Sequence, residues 1–150
     1  MAQKHIGKKG AKSKLLLRAL LPVTSGACDA ALTKNVYVQI RRTVPQDGDT
    51  ALCAMVPASK FMPMKHMVSF WDLKHQVESA CGIRDMAFTC KDDGVVRFYA
   101  AGSKVCLRAL QAEGLKITIA FQGGNDASQN VCLSVDQAIK NPKGLGLKFP

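Results

Sequence analysis

No stretch of this chain approaches the roughly 18 to 20 continuous apolar residues that a membrane-spanning helix requires. The longest early apolar cluster, Leu15-Leu16-Leu17, is cut by Arg18 and stopped at Pro22. No A-x-A-like site follows it, so a secretory signal peptide is not expected. The six cysteines (Cys28, Cys53, Cys81, Cys90, Cys106 and Cys132) are spread singly, with no C-x-x-C pair. That removes the familiar zinc and dithiol spacings. Each cysteine after the first lies in an apolar stretch, where the thiol packs as a small hydrophobe. Reduced core thiols in an intracellular protein, cytoplasmic, nuclear or organellar, are therefore expected. Acidic residues are missing altogether from residues 1–28.

What is there is positive charge, unevenly placed. The 150 residues carry a net charge of +10. Residues 1–28 hold Lys4, Lys8, Lys9, Lys12, Lys14 and Arg18, while residues 29–150 set 15 bases against all 11 acids. A cationic leader of this kind attracts polyanions such as RNA, DNA, an acidic protein face or an anionic membrane. A solvated tail and a mitochondrial presequence are the alternatives. The length suits one domain able to bury a core without metal or disulfides.

Along the chain, residues 1–14 are rich in Lys, Gly and Ser and are expected to be disordered alone. Residues 15–21 suit a short amphipathic helical turn. Residues 36–41 are β-branched and aromatic, with Val36, Val38 and Ile40 on one face. Pro45-Gln46-Asp47-Gly48 is a turn signal, and residues 50–56 read as the returning strand. Ser69 and Asp72 have the spacing of a variant capping box. Phe70, Leu73, Val77 and Cys81 then form a stripe that predicts a helix over 69–81, ended by Gly82. Strands are predicted over 86–90 and 95–100 around a Lys91-Asp92-Asp93-Gly94 turn. A short helix follows Ser103 through Leu110 and Ala112, and 115–121 is a strand of clean alternation. Residues 122–130 read as a linker, and 134–140 as a short helix. This divides the chain into an arm (1–33), a folded domain (34–122) and a linker with a basic tail (123–150).

The order β-β-α-β-β-α-β predicts an α+β domain with one mixed sheet and helices on one face, the order of the ubiquitin-like β-grasp. Residues 69–73 with Val77, the 88–94 segment and residues 105–110 resemble a Phox-and-Bem domain, a β-grasp module that joins proteins through a basic face and an acidic loop. The resemblance spans about residues 34–122. It implies a basic-face partner, with Gln39 where the family has a first-strand lysine and Arg41 and Arg42 just beyond. Val96-Arg97-Phe98-Tyr99 is similar to a strand of doublecortin-type domains, which have basic surfaces. Val36-Tyr37-Val38 resembles the first-strand motif of an RNA-recognition motif, with Lys91, Gly94, Val96 and Phe98 fitting its third strand. That resemblance implies a ferredoxin-like fold. Asp93 and Val95 stand where its stacking aromatics belong.

No catalytic constellation is apparent. His5, His66 and His75 are far apart, Asp92-Asp93 suffices as a turn, and Gly123-Gly124 and Gly144-Leu145-Gly146 do not join a strand to a helix. No enzyme activity, cofactor or metal is expected. Two binding functions remain. In one, an acidic protein docks on Arg41, Arg42, Lys104 and Arg108, with Trp71 as an anchor. In the other, the arm (Lys4, Lys8, Lys9, Lys12, Lys14 and Arg18) neutralises nucleic-acid phosphates while Tyr37 or Phe98 stacks on bases. Homo-oligomerisation is compatible with either.

Overall fold

The computed structural model describes residues 14–22, 26–44, 50–91, 94–106, 114–123 and 131–138. In chain order the elements are β1 (Lys14–Pro22), α1 (Ala27–Thr33), β2 (Asn35–Val44), β3 (Thr50–Val56), β4 (Met62–Met64), β5 (Met67–Trp71), β6 (Ile83–Cys90), β7 (Val95–Ser103), β8 (Gly114–Gln122) and β9 (Val131–Ala138). Five strands form one sheet in the order β1-β7-β6-β5-β4, and four form a second in the order β3-β2-β8-β9. Every neighbouring pair is antiparallel.

Strand alternation builds the core. In β7, Val96, Phe98, Ala100 and Gly102 point inward, while Val95, Arg97, Tyr99 and Ala101 point outward. In β8, Leu115, Ile117, Ile119 and Phe121 are buried. The two inner faces close on one apolar cluster. Phe88 of β6 joins them, its ring centroid 5.1 Å from Phe98 in its own sheet and 5.3 Å from Phe121 in the other. Two apolar sheet faces with only a seven-residue helix to cover them must bury one another. That helix tucks Ala27 and Ala31 into the same core.

The expected α+β class holds at the level of antiparallel strands in two sheets with one helix. Several expected details differ. The first and last strands of the expected domain, β2 and β8, do lie side by side, but antiparallel. A β-grasp pairs them in parallel within a single mixed sheet. The first and third strands of the expected RNA-recognition arrangement, β2 and β7, belong to different sheets. Residues 14–33, assigned to a flexible arm, supply β1 and α1 to the body. The run Leu15 to Leu21 satisfies a two-residue period as well as a helical one, and pairing along β7 decides between them. Strand β9 extends the fold beyond residue 122 and replaces the helix expected over 134–140.

The α-helix expected over 69–81 does not form; only a single 3-10 turn, Glu78–Ala80, lies in that range. Val68 and Phe70 are buried in β5 between Met67, Ser69 and Trp71, so the period is two. Asp72 then halts the strand. Its carboxylate accepts the amide N–H groups of Gln76 and Val77, each at 2.8 Å, and its own amide N–H donates to the Arg84 carbonyl at 2.7 Å. A side chain that gathers nearby amides this way competes with the helix that it was expected to cap. The turn Lys91–Gly94 agrees with a φ of 79° at Gly94, although Asp92 and Asp93 lie outside the described residues. So do Pro45-Gln46-Asp47-Gly48-Asp49 and residues 107–113 of the helix expected after Ser103, the residue at which β7 ends.

Four of the six cysteines are joined. Cys28 of α1 bonds Cys90 at the end of β6, with Cα atoms 6.5 Å apart. Cys81 bonds Cys106 across the start of β6 and the segment after β7, with Cα atoms 5.2 Å apart. These replace the expected reduced thiols. The sulfur atoms meet because each pair lies where one strand end abuts another segment, a closeness that separations of 62 and 25 residues conceal.

Candidate functional site

The outward face of the five-stranded sheet gathers more chemistry than any other described surface. Residues directly opposite on adjacent strands point to the same side. One row therefore reads Leu16, Ala101, Asp85 and Trp71 across β1, β7, β6 and β5. The next reads Arg18, Tyr99, Ala87, Ser69 and Met62. The third reads Leu20, Arg97, Thr89, Met67 and Met64. Lys14 lies opposite Ser103 at the end of the face. Lys14, Arg18 and Arg97 are exposed, and Tyr99 is half-buried. Trp71 is 53% exposed, Leu16 54% and Leu20 73%. Asp85 is the single acid in these rows, and its carboxylate lies 3.6 Å from the Arg84 guanidinium.

The floor between the aromatics is small: Ala87, Ala101, Ser69 and Thr89. Tyr99 and Trp71 are separated by two strand spacings and two residues along the strand, so their Cα atoms stand about 12 Å apart. Ser69, though in the outward row, is buried, and its Oγ lies 3.6 Å from the Met64 sulfur.

The residues singled out from the sequence scatter over the molecule. Lys14 and Arg18 belong to the face just described, fixed on β1 rather than carried by a loose arm. Lys4, Lys8, Lys9, Lys12 and Arg108 lie outside the described residues. Trp71 is on the same face. Arg41 is exposed on the other sheet, opposite Lys116, which in turn is in register with Asp136. Arg42 is half-buried beside the register position of buried Leu115. Lys104 is exposed in the segment after β7, with a φ of 57°. Arg41, Arg42, Lys104 and Trp71 thus do not form one patch, because β2 and β5 belong to different sheets.

The two proposed stacking residues also part company. Phe98 is 2% exposed and packs on Phe88, so its ring has no face left for a base. The alternation that makes β7 a strand turns Phe98 to its inward side. Tyr37 is half-buried on the outward side of β2, opposite Met55 and Ala120. Arg97 and Tyr99 were missed as site residues. The signal was present in the alternation of Val96, Phe98 and Ala100, which turns Arg97 and Tyr99 outward once the apolar residues are assigned to the core.

Among the described residues, Asp72 is the one buried carboxylate, and it is structural. Burial alone would raise its pKa. The Val77 and Gln76 amides, with the positive charges of His75 and Lys60 nearby, outweigh burial and hold it below the ordinary carboxylate range. Among the described residues, no cluster of three His, Cys, Asp or Glu side chains is arranged to hold a metal, and no helix is long and apolar enough to cross a membrane. Cys53 is exposed and unbridged on β3.

No protein-family model matches the chain, and no curated protein or solved structure shows significant similarity to it.

Proposed function

We propose that this chain is a non-enzymatic binding module that captures a polyanionic partner on the outward face of its five-stranded sheet. The observation that carries the reading is the convergence of Lys14, Arg18 and Arg97 on one face whose strand rows hold a single acid among the described residues, Asp85, beside Arg84. The Lys4, Lys8, Lys9 and Lys12 segment leads directly into β1, the strand at the edge of that face. Its charge adds long-range attraction, raising the encounter rate at low ionic strength. The reading does not rest on the Phox-and-Bem or RNA-recognition resemblance, since β2 and β8 pair antiparallel and β2 and β7 belong to different sheets.

Charge reversal tests it. Lys14→Glu and Arg18→Glu change exposed side chains on β1 and leave the buried Leu15, Leu17 and Leu21 in place. The double variant is expected to bind heparin at least tenfold more weakly than the parent chain at 50 mM salt. Equal retention on a heparin column would reject this face.

A second reading retains an acidic protein as partner but places it on the four-stranded sheet. Arg41 and Lys116 are directly opposite there, two cations adjacent on one side of that sheet. If Arg41→Glu with Lys116→Glu weakens binding and the β1 reversals do not, the second face is the site.

A further inference from the structure

We infer that the ligand of this face is a single-stranded nucleic acid whose bases stack on Tyr99 and Trp71 while its phosphates follow Lys14, Arg18 and Arg97. This rests on the polyanion reading above and goes further by naming the ligand and the residues that recognise it.

Three features of the face single out this ligand. The first is the interleaving of charge and aromatic surface. Arg18 stands directly opposite Tyr99, and Arg97 is two residues from Tyr99 along β7. A polyanion without π-faces, such as heparin or polyglutamate, uses the cations alone. A single strand uses both, because every base has a π-face and every nucleotide a phosphate. The second feature is spacing. The Tyr99 and Trp71 positions stand about 12 Å apart, so an extended strand crossing the face can bring a base to each ring. The third is the floor between them. Ala87 and Ala101 project only methyl groups, leaving a shallow surface over which flat bases can lie. A duplex keeps its bases stacked within itself and offers the rings nothing but its backbone.

The leader supports the same ligand. With Lys4, Lys8, Lys9 and Lys12 added to the three cations of the face, up to seven phosphates are neutralised. The logarithm of the affinity for a single strand should then fall with the logarithm of salt concentration with a slope of about −5. The leader alone gives a salt slope but no stacking, which separates the two contributions.

Trp71 is the only tryptophan in the chain, so its emission reports directly on one of the two proposed stacks. The experiment titrates the full chain with oligo(U) and oligo(dT) of 20 nucleotides, a DNA duplex of equal length, heparin and polyglutamate. Emission is followed alongside anisotropy of the labelled strands. Quenching by the two single strands, and weaker binding of the duplex, is expected. Heparin should bind without comparable quenching. Tyr99→Leu keeps side-chain bulk on the sheet but removes the π-face, and should weaken single-strand binding by about 5- to 100-fold while leaving heparin binding unchanged. Trp71→Leu should have the same effect.

Binding of single strands without quenching, or with Tyr99→Leu and Trp71→Leu as tight as the parent, overturns the stacking site. Preference for polyglutamate or for the duplex overturns the ligand and leaves the polyanion reading standing. Failure of every polyanion to bind removes both.

Discussion

Breaking the Cys28–Cys90 bond is expected to remove about 4 kcal/mol of stability, the largest effect of any perturbation considered for this molecule. The bond closes a loop of 62 residues. In the chain-entropy treatment such a cross-link removes about 14 cal/mol/K from the unfolded ensemble, or about 4 kcal/mol at 25 °C. The second bond spans 25 residues, and the same treatment gives it about 3.5 kcal/mol. The loops overlap between residues 81 and 90, so the two contributions share part of their entropy and the sum is an upper bound. The assay is urea unfolding of the parent and of a Cys28→Ala/Cys90→Ala double variant. With a slope of about 2 kcal/mol per molar urea, the midpoint should fall by about 2 M. Alkylation of the denatured chain before and after reduction supplies the chemical check, since reduction should expose four further thiols. Equal midpoints together with no gain in labelled thiols would refute the pairing and restore the reduced cysteines expected from the sequence. Protein recovered from its natural compartment with both bonds intact would place it in an oxidising environment, because such bonds rarely persist where glutathione keeps thiols reduced.

Two other predictions concern the scaffold. Asp72→Asn weakens the acceptors held by the Gln76 and Val77 amides and should cost about 1–3 kcal/mol, read by urea unfolding at pH 7. The folded-state pKa of Asp72 lies below its unfolded value of about 3.9. Its contribution is therefore complete above pH 4–5 and is lost as pH falls through the lower folded value. The difference between parent and variant should shrink in acid, and a difference that does not change between pH 7 and pH 2 would contradict this. Gly102→Ala would place a methyl 2.8 Å from the Val105 side chain and against the Gly82 carbonyl, with backbone on one side that cannot yield. A loss of about 1–3 kcal/mol is expected, and a melting temperature equal to that of the parent would show that the segment after β7 is looser than described.

The strands were legible wherever alternation was strict. Val36, Val38 and Ile40, then Leu115, Ile117, Ile119 and Phe121, announce buried faces, because a two-residue period has no other use in a globular chain. The segments 15–21, 69–81 and 134–140 were not, for a shared reason. In 15–21 the apolar residues fit both periods, and in the other two a helical spacing is overridden by strand pairing or by the Asp72 turn, so in each tertiary context decides and local pattern does not. In 69–81 the stripe of Phe70, Leu73, Val77 and Cys81 has helical spacing, yet only Phe70 is fully buried and Leu73 is exposed. Which faces of the two sheets meet also lay beyond reach. The β2–β8 neighbourhood was foreseen, but its antiparallel sense depends on connections running between two sheets. The candidate face was half visible: Arg18, Lys14 and Trp71 were named from residue type alone, whereas Tyr99 and Arg97 needed the inward assignment of Phe98. The cysteine pairing was hidden altogether, since six cysteines admit fifteen fully paired connectivities and sequence does not choose among them.

Placing Lys14 and Arg18 in a strand changes what their charge can do. On a loose leader, each cation must lose side-chain and backbone freedom to hold a ligand. On β1 the backbone is already fixed by pairing along nine residues with β7, and Arg18 is held opposite Tyr99. The backbone share of the ordering cost has therefore been met in folding, so a contact made there contributes more to affinity than the same contact made by a cation whose backbone is not held. Fixed charge also keeps its register with the rings, so the β1 residues are suited to deciding how a polyanion lies.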